Sequence, residues 1–186
     1  ANLPLAGWRD ASIKLLARLE ALAQGTAAGE PMVRAQLALA RSRLCRVLLG
    51  DPWTAWICAE AAADVAMQTG NARWQAAMQG EAALAELELG SPQGESKLRG
   101  ALETLSAMDE DLAQGNVAMS AALWLSMRPE HADEAADLAR MTLARHKGNI
   151  LFSGVSRWAL SRTYAALGAV TTAELEARAA LAMLEG

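Results

Sequence analysis

The side chains able to do chemistry are few and scattered. The chain has two histidines, His131 and His146, and two cysteines, Cys45 and Cys58. No cysteine lies near either histidine in sequence, so neither a metal-ligand spacing nor a Cys–His pair for nucleophilic catalysis is written. His146 falls in the last turn of a predicted helix, where a cation complements the helix dipole, and His131 falls in a first turn. Both read as surface residues. Two cysteines in 186 residues do not make a disulfide framework. They read as small buried apolar groups. Asp109, Glu110 and Asp111 stand at a predicted helix start, where acids favour the dipole; that explains them better than a calcium loop does. Glu130, Asp133, Glu134 and Asp137 read as a solvated outer face. No glycine-rich phosphate loop follows a strand, because no strand is predicted. The expectation is a chain that is not an enzyme, with no catalytic residue, no metal and no cofactor.

The composition points to helices. Apolar residues make up 53% of the chain and aromatics only 4%, so alanine and leucine, both strong helix formers, dominate the apolar set. Six of the eight aromatic residues are Trp. The formal net charge is -4 with both signs mixed along the chain, and no basic stripe argues for nucleic acid. No apolar run reaches the ~18 residues of a membrane-spanning helix. The N-terminus lacks a charged-then-apolar signal segment. A cytoplasmic location is therefore expected. The chain opens on Ala1 rather than Met, which is expected of an excerpt from a longer protein.

Breakers divide the chain at nearly regular steps. Gly50, Gly90 and Gly168 each sit where a helix should end in a left-handed residue, and Gly70 and Gly148 do the same for the alternate helices. Gly50 to Gly90 is 40 residues, while Gly90 to Gly168 and Gly70 to Gly148 are each 78, or twice 39. Asp51-Pro52 and Ser91-Pro92 read as an N-cap followed by Pro at the first helical position, and Pro129 repeats the pattern. Nine helices follow, near 5–24, 31–49, 52–69, 72–89, 92–107, 110–127, 130–147, 150–167 and 171–185. The first stands alone before the loop 25–30. The other eight make four hairpins of about 39 residues, a two-helix period that marks an α-solenoid. Residues 1–186 are thus expected to form a single all-α repeat domain, a right-handed α-α superhelix of about four hairpins plus one leading helix. Gly94 and Gly100 lie inside a predicted helix, so the segment 91–108 is expected to be short, late-starting or frayed.

The last hairpin carries the clearest pattern. Leu160, Tyr164 and Leu167 share one helical face. Thr171 and Glu174 match the S/T-x-x-E capping box, and Ala173, Ala177 and Ala180 offer a narrow small-residue face for close helix packing. This unit resembles a tetratricopeptide repeat: Leu160, Tyr164, Gly168, Ala173, Ala180 and Leu181 fall at the signature spacing. Ser161 replaces the usual Gly, and Ala177 the usual aromatic. The ~39-residue period exceeds the usual ~34, implying helices about one turn longer. In this the chain is similar to the superhelical tetratricopeptide-like regions of bacterial multidomain regulators, the MalT-type activators of the LuxR class.

That resemblance implies a protein-binding or regulatory module, with the first helix of each hairpin lining a concave groove. On the phase of the last hairpin, the groove face carries Val155, Trp158 and Arg162. Carried back, it gives Trp74, Ala77, Glu81, Leu84 and Glu88, then Leu37, Arg41, Leu44 and Leu48, and Met119 with Ala122. The candidate binding residues are Arg41, Trp74, Glu81, Met119, Trp158 and Arg162. An apolar groove with isolated charges suits a protein or peptide partner, or a small-molecule effector. Self-association is left open; nucleic acid and membrane are not expected partners. Three roles compete: an interaction scaffold in signalling or transcription regulation, an effector-sensing domain of a transcriptional activator, and an autoinhibitory clamp on an attached catalytic or DNA-binding domain. Arg34, Arg41, Arg43 and Arg46 of the second helix point in several directions, and some of them are expected to pair with Glu81, Glu86 or Glu88. Of Trp53 and Trp56, one is expected to pack inward and the other to stay partly exposed.

Overall fold

The computed structural model describes residues 3–26, 30–108 and 111–184, with side chains over 10–21, 30–108 and 113–184. The described residues are helices and short connections, with no strand among them. In order they are α1 (Leu3–Thr26), α2 (Pro31–Arg43), α3 (Pro52–Gln68), α4 (Ala72–Glu88), α5 (Gln93–Ala107), α6 (Asp111–Leu125), α7 (Ala132–Arg145), α8 (Ile150–Ala166) and α9 (Val170–Leu184). A π-helical stretch, Leu44–Leu49, extends α2, and a 3₁₀ turn, Pro129–His131, precedes α7. The acidic run at Asp109 and Glu110 lies outside the described residues, as does the side chain of Asp111.

The expected glycines do end helices. Gly50, Gly70, Gly90, Gly148 and Gly168 hold φ of 65°, 69°, 83°, 90° and 76°, the left-handed region a Cβ disfavours. The helix starts are equally local. Asp51 accepts from the Thr54 backbone N–H at 3.0 Å, Asn71 from Trp74 at 3.1 Å and Asn149 from Phe152 at 3.1 Å. Pro52 sits at the first helical position, where its missing N–H costs nothing.

Other starts differ from the sequence reading. The α9 helix begins at Val170, with Ala173 N–H bonded to Ala169 C=O at 2.9 Å, so Thr171 lies inside the helix and cannot cap it. Glu174 instead accepts from Arg178 at 2.6 Å. Pro92, the predicted first residue, instead occupies the N-cap of α5, which begins at Gln93, one residue past the predicted start. Pro129 opens a 3₁₀ turn rather than the α-helix itself.

The chain forms two compact units, residues 1–108 and 109–186. In the first, each helix packs on the next, and α2 also touches α4. Its core is built from small residues: Ala35, Leu39, Ala62, Ala63, Ala66 and Met78 are buried together, with Trp74 packed against them. Alanine faces let helices approach closely, so tight packing replaces bulk. Gly94 extends the same device. A Cβ there would lie 2.8 Å from the Ala83 carbonyl oxygen and 2.8 Å from Leu87 Cγ, so glycine admits α5 against α4. The α5 helix accordingly runs unbroken through both glycines, starting one residue late but not frayed.

The second unit repeats the scheme. Its helices pack in sequence, and α6 also touches α8. Ala122, Ala136, Ala139, Ala159 and Leu160 form its core, with Tyr164 packed against them. Leu160 and Tyr164 therefore pack with α6 and α7, and Leu167 is 55% exposed. Leu167 does not seal the last hairpin as predicted. Ala173 and Ala180 do, both buried, helped by Arg157 donating to Glu176 at 2.7 Å and by Gly154 against Leu184.

Candidate functional site

Two of the predicted groove residues pair with charges, in different ways. Glu81, on α4, is 1% exposed. Arg43 Nε donates to its Oε1 at 2.8 Å, and Arg46 Nη2 donates to its Oε2 at 3.3 Å. Arg46 Nη1 reaches Glu88 at 3.1 Å. The pairing expected between these arginines and α4 is therefore made, and it occupies Glu81 fully. Nearby, Glu86 Oε1 accepts from Trp56 Nε1 at 3.2 Å and from Lys97 Nζ. Glu86 Oε2 and Arg46 Nε are buried without a hydrogen-bond partner among the described residues. Such a network fixes the register of α2, α3, α4 and α5 more than it adds stability, since each buried charge has been taken out of water. Arg41 stays exposed and lies 3.8 Å from Glu20 of α1.

The remaining groove candidates divide by burial. Trp74 packs against the α2–α3 core, so it acts there as a spacer. Met119 is half-buried on α6, and its neighbour Ala122 is fully buried. Ala77 and Leu84, on the same predicted face of α4, are also buried. Trp158 and Arg162 differ from these. Trp158 is 47% exposed, Arg162 one turn later is exposed, and Arg162 makes no ion pair among the described residues. Leu151 and Val155 continue the stripe toward the helix start, the first exposed and the second half-buried. The structure thus leaves an apolar stripe with one unpaired guanidinium on α8, and closes the corresponding face of α4.

The groups considered for chemistry sit in structural settings. His146 is half-buried at the end of α7, edge-on to Phe152 with ring centroids 4.6 Å apart. Its ring lies against Gly115, where a Cβ would come within 2.2 Å of Nε2. It is a packing residue, not the surface residue its position suggested. His131 Nδ1 lies 3.7 Å from Glu134. Cys45 and Cys58 are free thiols, and burial pushes both above the ordinary thiol range. Among the described residues no three His, Cys, Asp or Glu side chains are grouped to hold a metal ion. No described helix is long and apolar enough to cross a membrane.

Sequence reasoning missed two features. The π-helical stretch Leu44–Leu49 carries no glycine or proline inside it to announce it. Gly94 reads as a helix-weakening residue and Gly115 drew no reading, yet each admits a close neighbour; the signal was a glycine in mid-helix, which often has a packing reason. The chain matches no protein-family model, no curated protein and no solved structure.

Proposed function

We propose that this chain is a non-enzymatic interaction and regulatory module, a tetratricopeptide-like helical solenoid of the sort found in bacterial multidomain regulators. Two observations support the repeat reading. Helix-ending glycines recur at multiples of about 39 residues, and in each unit sequential helices pack while alternate helices also touch. The observation that carries the binding role is the open stripe of α8. Trp158 and Arg162 stand exposed one turn apart, and Arg162 has no carboxylate partner among the described residues. An exposed indole supplies apolar area with an N–H donor, and a free guanidinium pairs bidentately with a carboxylate or phosphate. The preferred partner is therefore an acidic peptide segment with an apolar residue beside its carboxylate.

An arrayed set of peptides tests this. The wild-type chain should retain peptides that carry Asp or Glu next to an aromatic or aliphatic residue. Arg162→Ala should lose them while melting at the wild-type temperature, because an exposed unpaired side chain contributes little to folding. Retention of the same peptides by both Trp158→Ala and Arg162→Ala would overturn the assignment. Capture of a small anionic effector in place of peptides would redirect it to the sensing role.

A further inference from the structure

The outward face of α3 carries a second surface, of opposite charge. Trp53, Ile57, Glu60, Asp64 and Met67 follow one another at four, three, four and three residues, so they form one stripe along the helix. Ala55, Ala59, Ala62 and Ala66 take the opposite, buried face. An outward stripe on a surface helix is ordinarily polar, yet this one begins with two exposed large apolar residues and ends with a third. Trp53 is 58% exposed. It is also held in place: its ring lies 5.3 Å from that of Trp56 at 49°, and Trp56 is anchored by its N–H to the buried Glu86 carboxylate. A braced, exposed Trp is the kind of residue that anchors an interface.

The charge on this face is uncompensated. No Lys, Arg or His occurs in α3. Glu60 and Asp64 make no ion pair or hydrogen bond among the described residues, whereas Glu81, Glu86, Glu88, Asp137, Glu174 and Glu176 all have a cationic partner. We propose that this face docks a basic amphipathic helix from a partner, its apolar residues on Trp53, Ile57 and Met67 and its Lys or Arg side chains on Glu60 and Asp64. Complementary charge selects that partner and sets its register. A second copy of this chain is disfavoured by the same charges, because a two-fold axis near the middle of the stripe would set Glu60 against Glu60. The stripe covers about 21 Å, or roughly four turns of a docked helix. This inference concerns α3 alone and does not rest on the α8 stripe.

Two fluorescein-labelled helical peptides of about four turns serve as probes, one built from Leu and Lys and the other from Leu and Glu in the same pattern. Anisotropy is read for the wild type, Trp53→Ser, the double variant Glu60→Gln with Asp64→Asn, and a control double variant Glu130→Gln with Asp133→Asn. The wild type should bind the Leu/Lys peptide and not the Leu/Glu one. Trp53→Ser and the α3 double variant should each weaken binding by about tenfold or more with unchanged melting temperatures, and the control should bind as wild type. Absent binding, equal binding of both peptides, or equal loss in the control would overturn the proposal. So would self-association of the wild type in sedimentation that Trp53→Ser abolishes.

Discussion

Two ion pairs of the first unit meet on the buried Glu81 carboxylate. It accepts from two arginines, and Arg46, with a side chain 8% exposed, depends on it. Replacing Glu81 with Ala leaves that guanidinium buried with only Glu88 as partner. Breaking a buried pair costs about 3–5 kcal/mol. Urea unfolding should report a loss of that order for Glu81→Ala. Asp137→Ala should change stability by less than about 1 kcal/mol, because its pair with Arg140 is exposed. Sequence reading could offer four arginines, Arg34, Arg41, Arg43 and Arg46, as partners for Glu81, Glu86 or Glu88 because opposite charges stood on nearby helices, but not which of them meet. It could not tell that the pair would close the very face it was expected to open, because burial depends on how near α2 and α4 come. Asp51 offers a second residue-scale test. Hydrogen bonds from Thr54, from its side chain first and its backbone N–H second, hold the Asp51 carboxyl below the usual range. A depressed folded value means that the contribution is present above the unfolded pKa of about 3.9 and is lost as pH falls through the folded value. The stability difference between wild type and Asp51→Ala should therefore be constant at neutral pH and shrink only below about pH 4. A difference that shrinks near pH 6 would exclude the carboxylate cap as its cause.

Among the elements, mid-helix glycines separate propensity from packing. Gly94 and Gly100 both lie in α5, and propensity alone treats them alike. Around Gly100 nothing lies within 4 Å of a built Cβ, whereas at Gly94 that Cβ would meet the Ala83 carbonyl oxygen at 2.8 Å. Gly100→Ala should raise stability by about 0.5–1 kcal/mol through helix propensity. Gly94→Ala should lower it by about 1–3 kcal/mol, because backbone must shift. Thermal melts of the two variants moving in the same direction would show that α5 does not approach α4 as described. Local chemistry was legible at this scale: the five left-handed glycines, the Asp51 cap and the Ala173–Ala180 face all lay in short-range spacing. The face of Leu160 and Tyr164 was legible as a face, but not its destination, since α8 touches α6, α7 and α9 and periodicity does not choose among them. Ala173→Arg still probes the last hairpin, where a long cation forced into the α8–α9 seam should cost several kcal/mol, on the order of 3 or more.

For the whole molecule, the pattern of contacts decides how stability is shared. Each unit has its own core, one around Met78 and Ala62, the other around Ala139 and Leu160. In helical repeats each hairpin leans only on its neighbours, so stability is close to a sum of local terms rather than a single cooperative total. Leu84 in α4 is fully buried and Leu160 in α8 is 3% exposed, so each tests its own unit. Truncation to Ala at either should cost about 2–5 kcal/mol locally. Native-state hydrogen exchange then reads where that loss falls. Leu84→Ala should speed exchange in α3, α4 and α5 and leave α8 and α9 near wild type; Leu160→Ala should do the reverse, loosening α7 and α8 first. The local reading requires this asymmetry. If either variant lowered protection evenly from α2 to α9, the chain would unfold as one cooperative body, and the repeat-by-repeat account of its stability would have to be given up.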